Sequence, residues 1–211
     1  MARAGIGPAV LLAAIGLLDL ASAHLPKTVL LTGLLDEPAH LATAALLLLA
    51  AGLWRPTHDG AGLVPVVALA SAVLIDVDHI PLYLGVPGIS AGGRPFSHSL
   101  VTPAIAAIMA AALSGRGRAV ASGITIGTLL HFVRDVATGP GLPLAWPVTN
   151  SDVRMPLSAY AAVLGAAAAL ASWRSLTRGT WKAPRAAPPE PQVPEHPGTG
   201  YTPPQLNSGS H

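Results

Sequence analysis

The run Leu41-Ala-Thr-Ala-Ala-Leu-Leu-Leu-Leu-Ala-Ala51 has no polar face however it is wound. A helix on the surface of a water-soluble protein keeps one polar side, so this run belongs either in a buried core or in lipid. Five more apolar runs accompany it: Pro8–Ala23, Gly62–Ile75, Leu100–Leu113, Ala119–Leu130 and Leu157–Trp173, while the second run itself extends to Trp54. Charged residues make up only 10% of the 211, against about 25% in soluble domains, and the mean hydropathy is +0.54. Such a chain has too little polar side-chain surface to cover a soluble globule. The expectation is an all-α, polytopic membrane bundle of about six short transmembrane helices.

Most runs are shorter than the roughly 20 residues a spanning helix needs, and flanking polar residues supply the missing turns. Pro8–Ala23 also has the look of a secretory leader, with Arg3 ahead of it and Ala21-Ser22-Ala23 as a cleavage-like end. The recurrence of similar runs makes a first membrane helix the simpler reading. Thr28–Leu35 reads as a re-entrant or interfacial piece. From Lys182 onward Pro, Gly, Ser and polar residues dominate, a composition that cannot bury enough apolar surface to fold. The division is therefore a membrane-embedded domain over 1–178 and a disordered tail over 179–211.

Six spans with both termini inside place Arg3, Arg55, Arg116, Arg118, Arg174, Arg178, Lys182 and Arg185 on one side. Lys27, Arg94, Arg134 and Arg154 then lie on the other. The excess favours a cytoplasmic tail and a multi-pass protein of the cell membrane. The net charge is only +2 and the basic residues are scattered singly, which gives nucleic acid no footprint. The partner is the lipid bilayer.

On this topology the ligand-type side chains fall at one end of the helices. Asp36 and His40 open the second helix, Asp76, Asp78 and His79 close the third, His98 precedes the fourth, and His131 and Asp135 close the fifth. Residues three or four apart share a helix face. The pairs Asp36/His40, Asp76/His79 and His131/Asp135 can therefore each aim an oxygen and a nitrogen at one point. The chain has no cysteine, so any metal is held by nitrogen and oxygen, a set that suits zinc, manganese or iron. Each element also has a plainer role. Asp36 could cap the second helix, the serines around His98 could cap the fourth, His131 and Asp135 could be a structural pair, and Arg94, Arg134 and Arg154 could be interfacial residues reaching for headgroups. Asp19 stands alone in the first run as an acid in need of a partner, and His24 fits no cluster.

At Asp76-Val-Asp-His79, Arg94-Pro-Phe-Ser-His98-Ser99 and His131-Phe-Val-Arg-Asp135-Val-Ala-Thr138 the chain resembles the membrane-bound metal-dependent hydrolases often called the YdjM, or LexA-binding inner-membrane, family. That family's later element pairs a Gly, a His, an Asp and a Thr, matched here by Gly127, His131, Asp135 and Thr138. Gly141 and Trp146-Pro147 match the sequel, and Asp36-Glu-Pro-Ala-His40 the amino-terminal element; the likeness runs over about 36–160. Gly93 stands where the family's first His of the second element is expected, with Pro95, Ser97 and Ile75 as further departures. The change at Gly93 removes a ligand or a group that would orient one.

The resemblance implies a hydrolase using one or two divalent ions, zinc first and manganese next, on His40, Asp76, His79, His98, His131 and Asp135. Asp78 is expected as general base or orienting carboxylate. Arg94 or Arg154 is expected to pair with an anionic group of a small-molecule or lipid substrate, such as a phosphoester. The alternative is a non-catalytic metal-binding or cation-transport membrane protein.

Overall fold

The computed structural model describes residues 6–26, 28–54, 62–88, 90–91 and 94–179. The Pro-rich tail from residue 180 on, Lys27, Arg55, His58, Asp59 and Gly93 lie outside the described residues. The order of elements is α1 (Ile6–His24), α2 (Val29–Ala51), α3 (Leu63–Leu74), a 3-10 turn over Ile75–Asp78, α4 (His79–Tyr83), a hairpin of β1 (Ser90–Ala91) and β2 (Arg94–Pro95), α5 (Val101–Ala112), α6 (Gly115–Thr138) and α7 (Leu157–Gly179). The expected all-helical architecture is present, and the hairpin is its one sheet among the described residues.

Three stretches, Ile6–His24, Val29–Ala51 and Leu63–Tyr83, are long and apolar enough to cross a bilayer. At about 1.5 Å per residue, the 12-residue α5 covers much less than the roughly 30 Å of hydrocarbon. The expected count of six spans therefore does not follow from helix length and apolarity. α6 and α7 are long but more polar.

Thr28–Leu35 is not a separate re-entrant piece. Thr28 is the N-cap of α2, its hydroxyl accepting from the Leu31 N–H at 3.2 Å, and the helix runs unbroken to Gly52, whose φ of +73° closes it through bonds to the Leu48 and Leu49 carbonyls. The cap that the sequence offers at Asp36 loses to this earlier one. Asp36 and His40 consequently sit inside α2 rather than at its start.

Ile15, Ala42, Leu46, Ala50, Tyr160 and Leu164 form one core with Ala167, Ala168 and Ala171, where α1, α2 and α7 meet. Small residues let these backbones approach closely, which is how helices associate where burial from water is not the driving force. The same device sets α6 on α3. A Cβ at Gly123 would stand 2.6 Å from that of Val67, and one at Gly127 would stand 2.2 Å from the Ala68 carbonyl oxygen. Large apolar side chains such as Leu17, Leu30, Leu74 and Ile108 point outward, as a lipid-facing surface requires.

Candidate metal centre

The C-terminal ends of α1, α3 and α6 come together with the N-terminal parts of α2 and α7. Arg134 bonds to both Asp19 and Asp36, His131 bonds to Ala72, and the Met155 N–H donates to the Val136 carbonyl at 2.6 Å. The segment before α5 is tied to the same end, since the Leu100 N–H donates to the Leu144 carbonyl at 3.0 Å and Phe96 stacks on Trp146 with ring centroids 5.1 Å apart.

Here His40, Asp76, His79, His98, His131 and Asp135 converge, joined by Asp36 and Asp78. Three imidazole nitrogens surround one oxygen, Asp76 Oδ1: His98 Nε2 at 3.0 Å, His79 Nδ1 at 3.2 Å and His131 Nε2 at 3.5 Å. His131 Nε2 also lies 2.9 Å from Asp135 Oδ2. Its other nitrogen, Nδ1, meets the Ala72 carbonyl at 2.9 Å. A carbonyl only accepts, so Nδ1 carries the hydrogen, and in the neutral ring the Nε2 lone pair faces two carboxylates. A proton or a cation must lie between them. Donation of the far ring nitrogen to a backbone carbonyl is the usual arrangement of a metal-ligating histidine.

His40 stacks on His131 with centroids 3.9 Å apart. It is 1% exposed, and neither of its ring nitrogens has a hydrogen-bond partner. Its Nε2 stands 3.4 Å from Asp135 Oδ1 and 3.6 Å from Asp36 Oδ2. His79 Nδ1 and Asp78 Oδ1 are 3.0 Å apart but out of hydrogen-bond alignment, so both remain unsatisfied. Buried polar atoms without partners are rare in native proteins and call for an ion or water. Two ligand atoms each about 2.0–2.3 Å from one ion lie roughly 3.0–3.6 Å from each other, the range these separations occupy. The donor set therefore fits a divalent ion of the zinc or manganese kind.

The supporting groups correct several plainer readings. Ser97 does not cap α5: its hydroxyl donates to Asp78 Oδ2 and its carbonyl accepts from the Thr102 hydroxyl at 2.6 Å. Arg94 is not a headgroup-seeking residue but is buried. Its guanidinium grips Asp135 with Nη1 at 2.7 Å from Oδ2 and Nη2 at 3.2 Å from Oδ1, the two-pronged geometry that Arg alone provides. Gly139 makes room for it, because a Cβ there would fall 2.1 Å from Arg94 Nη2. Arg134 is 2% exposed and bonds to Asp19 Oδ1 at 2.7 Å, to Asp36 Oδ1 at 2.9 Å and to the Tyr160 hydroxyl at 3.4 Å. Asp19 thus has its partner. Arg154 is exposed beside Gly141 rather than in the cluster, and His24 bonds its own helix, at the Leu20 carbonyl.

His98, in the segment between β2 and α5, is fully buried. Burial opposes its charge, but the hydrogen bond of Nε2 to Asp76 and the Asp78 carboxylate 3.2 Å from Nδ1 outweigh this and raise its pKa above the ordinary histidine value.

A cavity of about 730 Å³ opens on the cluster. Its polar wall includes Asp36, Glu37, Asp76, His79 and Arg94, and its apolar wall Val29, Ile80, Leu82, Tyr83 and Leu157. Glu37 is not among the residues that the sequence singles out. Its Oε2 is buried without a partner, and its spacing of three residues from His40, which puts the two on one helix face, is the signal that could have found it.

A family model described as YdjM inner membrane protein matches residues 35–187. The chain belongs to the YdjM inner membrane protein family. It is accordingly a membrane protein, a reading that its three helices long and apolar enough to cross a bilayer support. The YdjM match takes in every member of the cluster from Asp36 to Asp135 and leaves Asp19 outside. No curated protein and no solved structure matches the chain.

Proposed function

We propose that this protein is a multi-pass membrane hydrolase that uses a divalent ion, zinc or manganese, to cleave a phosphoester or lipid-linked substrate, with its C-terminal tail in the cytoplasm. The observation that carries the reading is the His131 ring, whose Nδ1–H is committed to the Ala72 carbonyl while its Nε2 faces Asp76 and Asp135. His40, Asp76, His79, His98, His131 and Asp135 would hold the ion. Bound there, it would polarise a substrate oxygen and lower the pKa of a bound water to about 7.

The rest is the chain's own work. Arg94 holds both oxygens of Asp135 in place, and Ser97 donates to one oxygen of Asp78, Oδ2. Asp78, whose Oδ1 has no hydrogen-bond partner, would take a proton from attacking water or orient a ligand, and Glu37, with a free buried oxygen on the cavity wall, is a second carboxylate that could accept that proton. The cavity's two walls suit a molecule with a polar head and an apolar tail.

The test is detergent-purified protein loaded with zinc or manganese and assayed on a panel of phosphoesters and esters, wild type beside His98→Ala. Hydrolysis lost in the variant supports the reading. Rates equal in the two proteins would sink it. Metal-driven cation flux in proteoliposomes without hydrolysis would favour transport instead.

A further inference from the structure

We infer that the cluster is built for two divalent ions, held in adjacent ligand sets that share Asp76. This rests on the metal-dependent reading above and extends it to the number of ions and the division of the ligands.

The first argument is ligand number. Four imidazoles and four carboxylates converge: His40, His79, His98 and His131 with Asp36, Asp76, Asp78 and Asp135. One zinc takes about four ligands and one manganese-like ion about six, so a single ion leaves buried donors without a role.

The second argument is their grouping. Asp76, Asp78, His79 and His98 offer ligand atoms within 4.8 Å of one another, and so do His40, Asp76 and His131. Asp76 belongs to both. The groups His98/His131/Asp135 and Asp36/His40/Asp135 join the second set through His131 and His40 and share Asp135 with each other, while His98 also belongs to the first set. His79 and His40, one from each set, both have an unpartnered ring nitrogen turned to their own carboxylates: His79 Nδ1 towards Asp76 and Asp78, and His40 Nε2 towards Asp135 and Asp36. His40 is 1% exposed, so water does not satisfy it from bulk.

The third argument is charge. Among the described residues at this end, Asp19, Asp36, Asp76, Asp78 and Asp135 face two guanidinium groups, Arg94 and Arg134. Once the histidines have given up their protons to act as ligands, these five carboxylates and two cations leave three negative charges next to apolar helices, where uncompensated charge is costly. One divalent ion does not cover that excess; a second does. Two ions held side by side would supply the paired charge that stabilises both the attacking and the leaving oxygen of an in-line displacement at phosphorus.

The experiment is metal counting on the full chain in detergent, reconstituted with Mn²⁺ alone and separately with Zn²⁺ alone, with low-temperature electron paramagnetic resonance on the manganese form. Wild type, His79→Ala and His40→Ala are compared, each first shown to elute as wild type on size exclusion; His79→Asn and His40→Asn stand in where the alanine variants do not. The expected result is two ions per chain with a spin-coupled manganese signal in wild type. Each variant keeps one ion and shows the hyperfine pattern of an isolated one. One ion per chain in wild type would overturn the second set and leave the single-ion reading intact. None would overturn both readings. Loss of both ions in either single variant would overturn the division into separate sets.

Discussion

His131 Nδ1 donates to the carbonyl of Ala72, one helical turn beyond the point where Gly127 lies against the carbonyl of Ala68. The two contacts share one register, because each member of the second pair is four residues before its counterpart in the first. The close approach of α6 to α3 therefore sets the orientation of a candidate ligand. Gly127→Ala places a methyl into backbone it cannot displace, and overpacking of this kind costs about 1–3 kcal/mol. We expect a lower melting temperature in detergent and weakened metal binding. Gly165→Ala in α7, with open space around it, should leave both unchanged or slightly improved. Equal behaviour of the two variants would refute the register argument.

Arg94→Lys keeps the charge and removes the two-pronged grip on Asp135. Partners that orient a metal ligand are worth about 10- to 100-fold in affinity. Zinc affinity should fall by about that factor in calorimetric titration, while the melting temperature of the metal-free protein moves much less than on Asp135→Asn.

Arg134 offsets two carboxylates. Replacing it with Met leaves the half-buried Asp19 and Asp36 without this counter-charge, a loss below the roughly 3–5 kcal/mol of fully buried pairs because solvent reaches both carboxylates. Arg134→Met should thus melt at a lower temperature than wild type. Adding Asp19→Asn to it should recover part of the loss. A double variant no more stable than the single one would mean that the Asp19 pairing carries no energy.

The raised pKa of His98 has a definite sign for metal binding. In the metal-free protein the ring holds its proton to higher pH than an ordinary histidine, because Asp76 and Asp78 stabilise the charged form against burial. A divalent ion must displace that proton. Apparent affinity should therefore rise with pH up to the raised pKa, by about tenfold per pH unit for each proton displaced. Titrations in two buffers of different ionisation enthalpy count the released protons. A pH-independent affinity with no release would exclude His98 as a ligand.

Glu37→Gln preserves shape and removes the proton acceptor on the cavity wall. Metal content should stay at the wild-type value while hydrolysis of the best substrate falls by about 10²-fold or more. Metal loss in this variant would make Glu37 a ligand instead.

Much of the architecture was legible in the chain before folding. The apolar runs and the scarcity of charge already demanded lipid-facing helices, since no packing can hide so much apolar surface with so few polar residues. The pairs Asp36/His40, Asp76/His79 and His131/Asp135 were legible because helical periodicity is local: residues three or four apart share a face whatever surrounds them. The resemblance to the YdjM family was readable from the same short motifs.

What the tertiary structure decided is long-range. It started α2 at Thr28 rather than near Asp36, because a capped continuous helix satisfies its backbone in lipid and a broken one does not. It joined Asp19 to Arg134 across 115 positions of chain and Arg94 to Asp135 across 41, pairings to which sequence spacing is blind. It also turned Ser97 from a helix cap into a support for Asp78 and brought Glu37 onto the cavity wall. Local spacing determines which side chains a helix can present together; only the packing of one helix against another determines which of them meet.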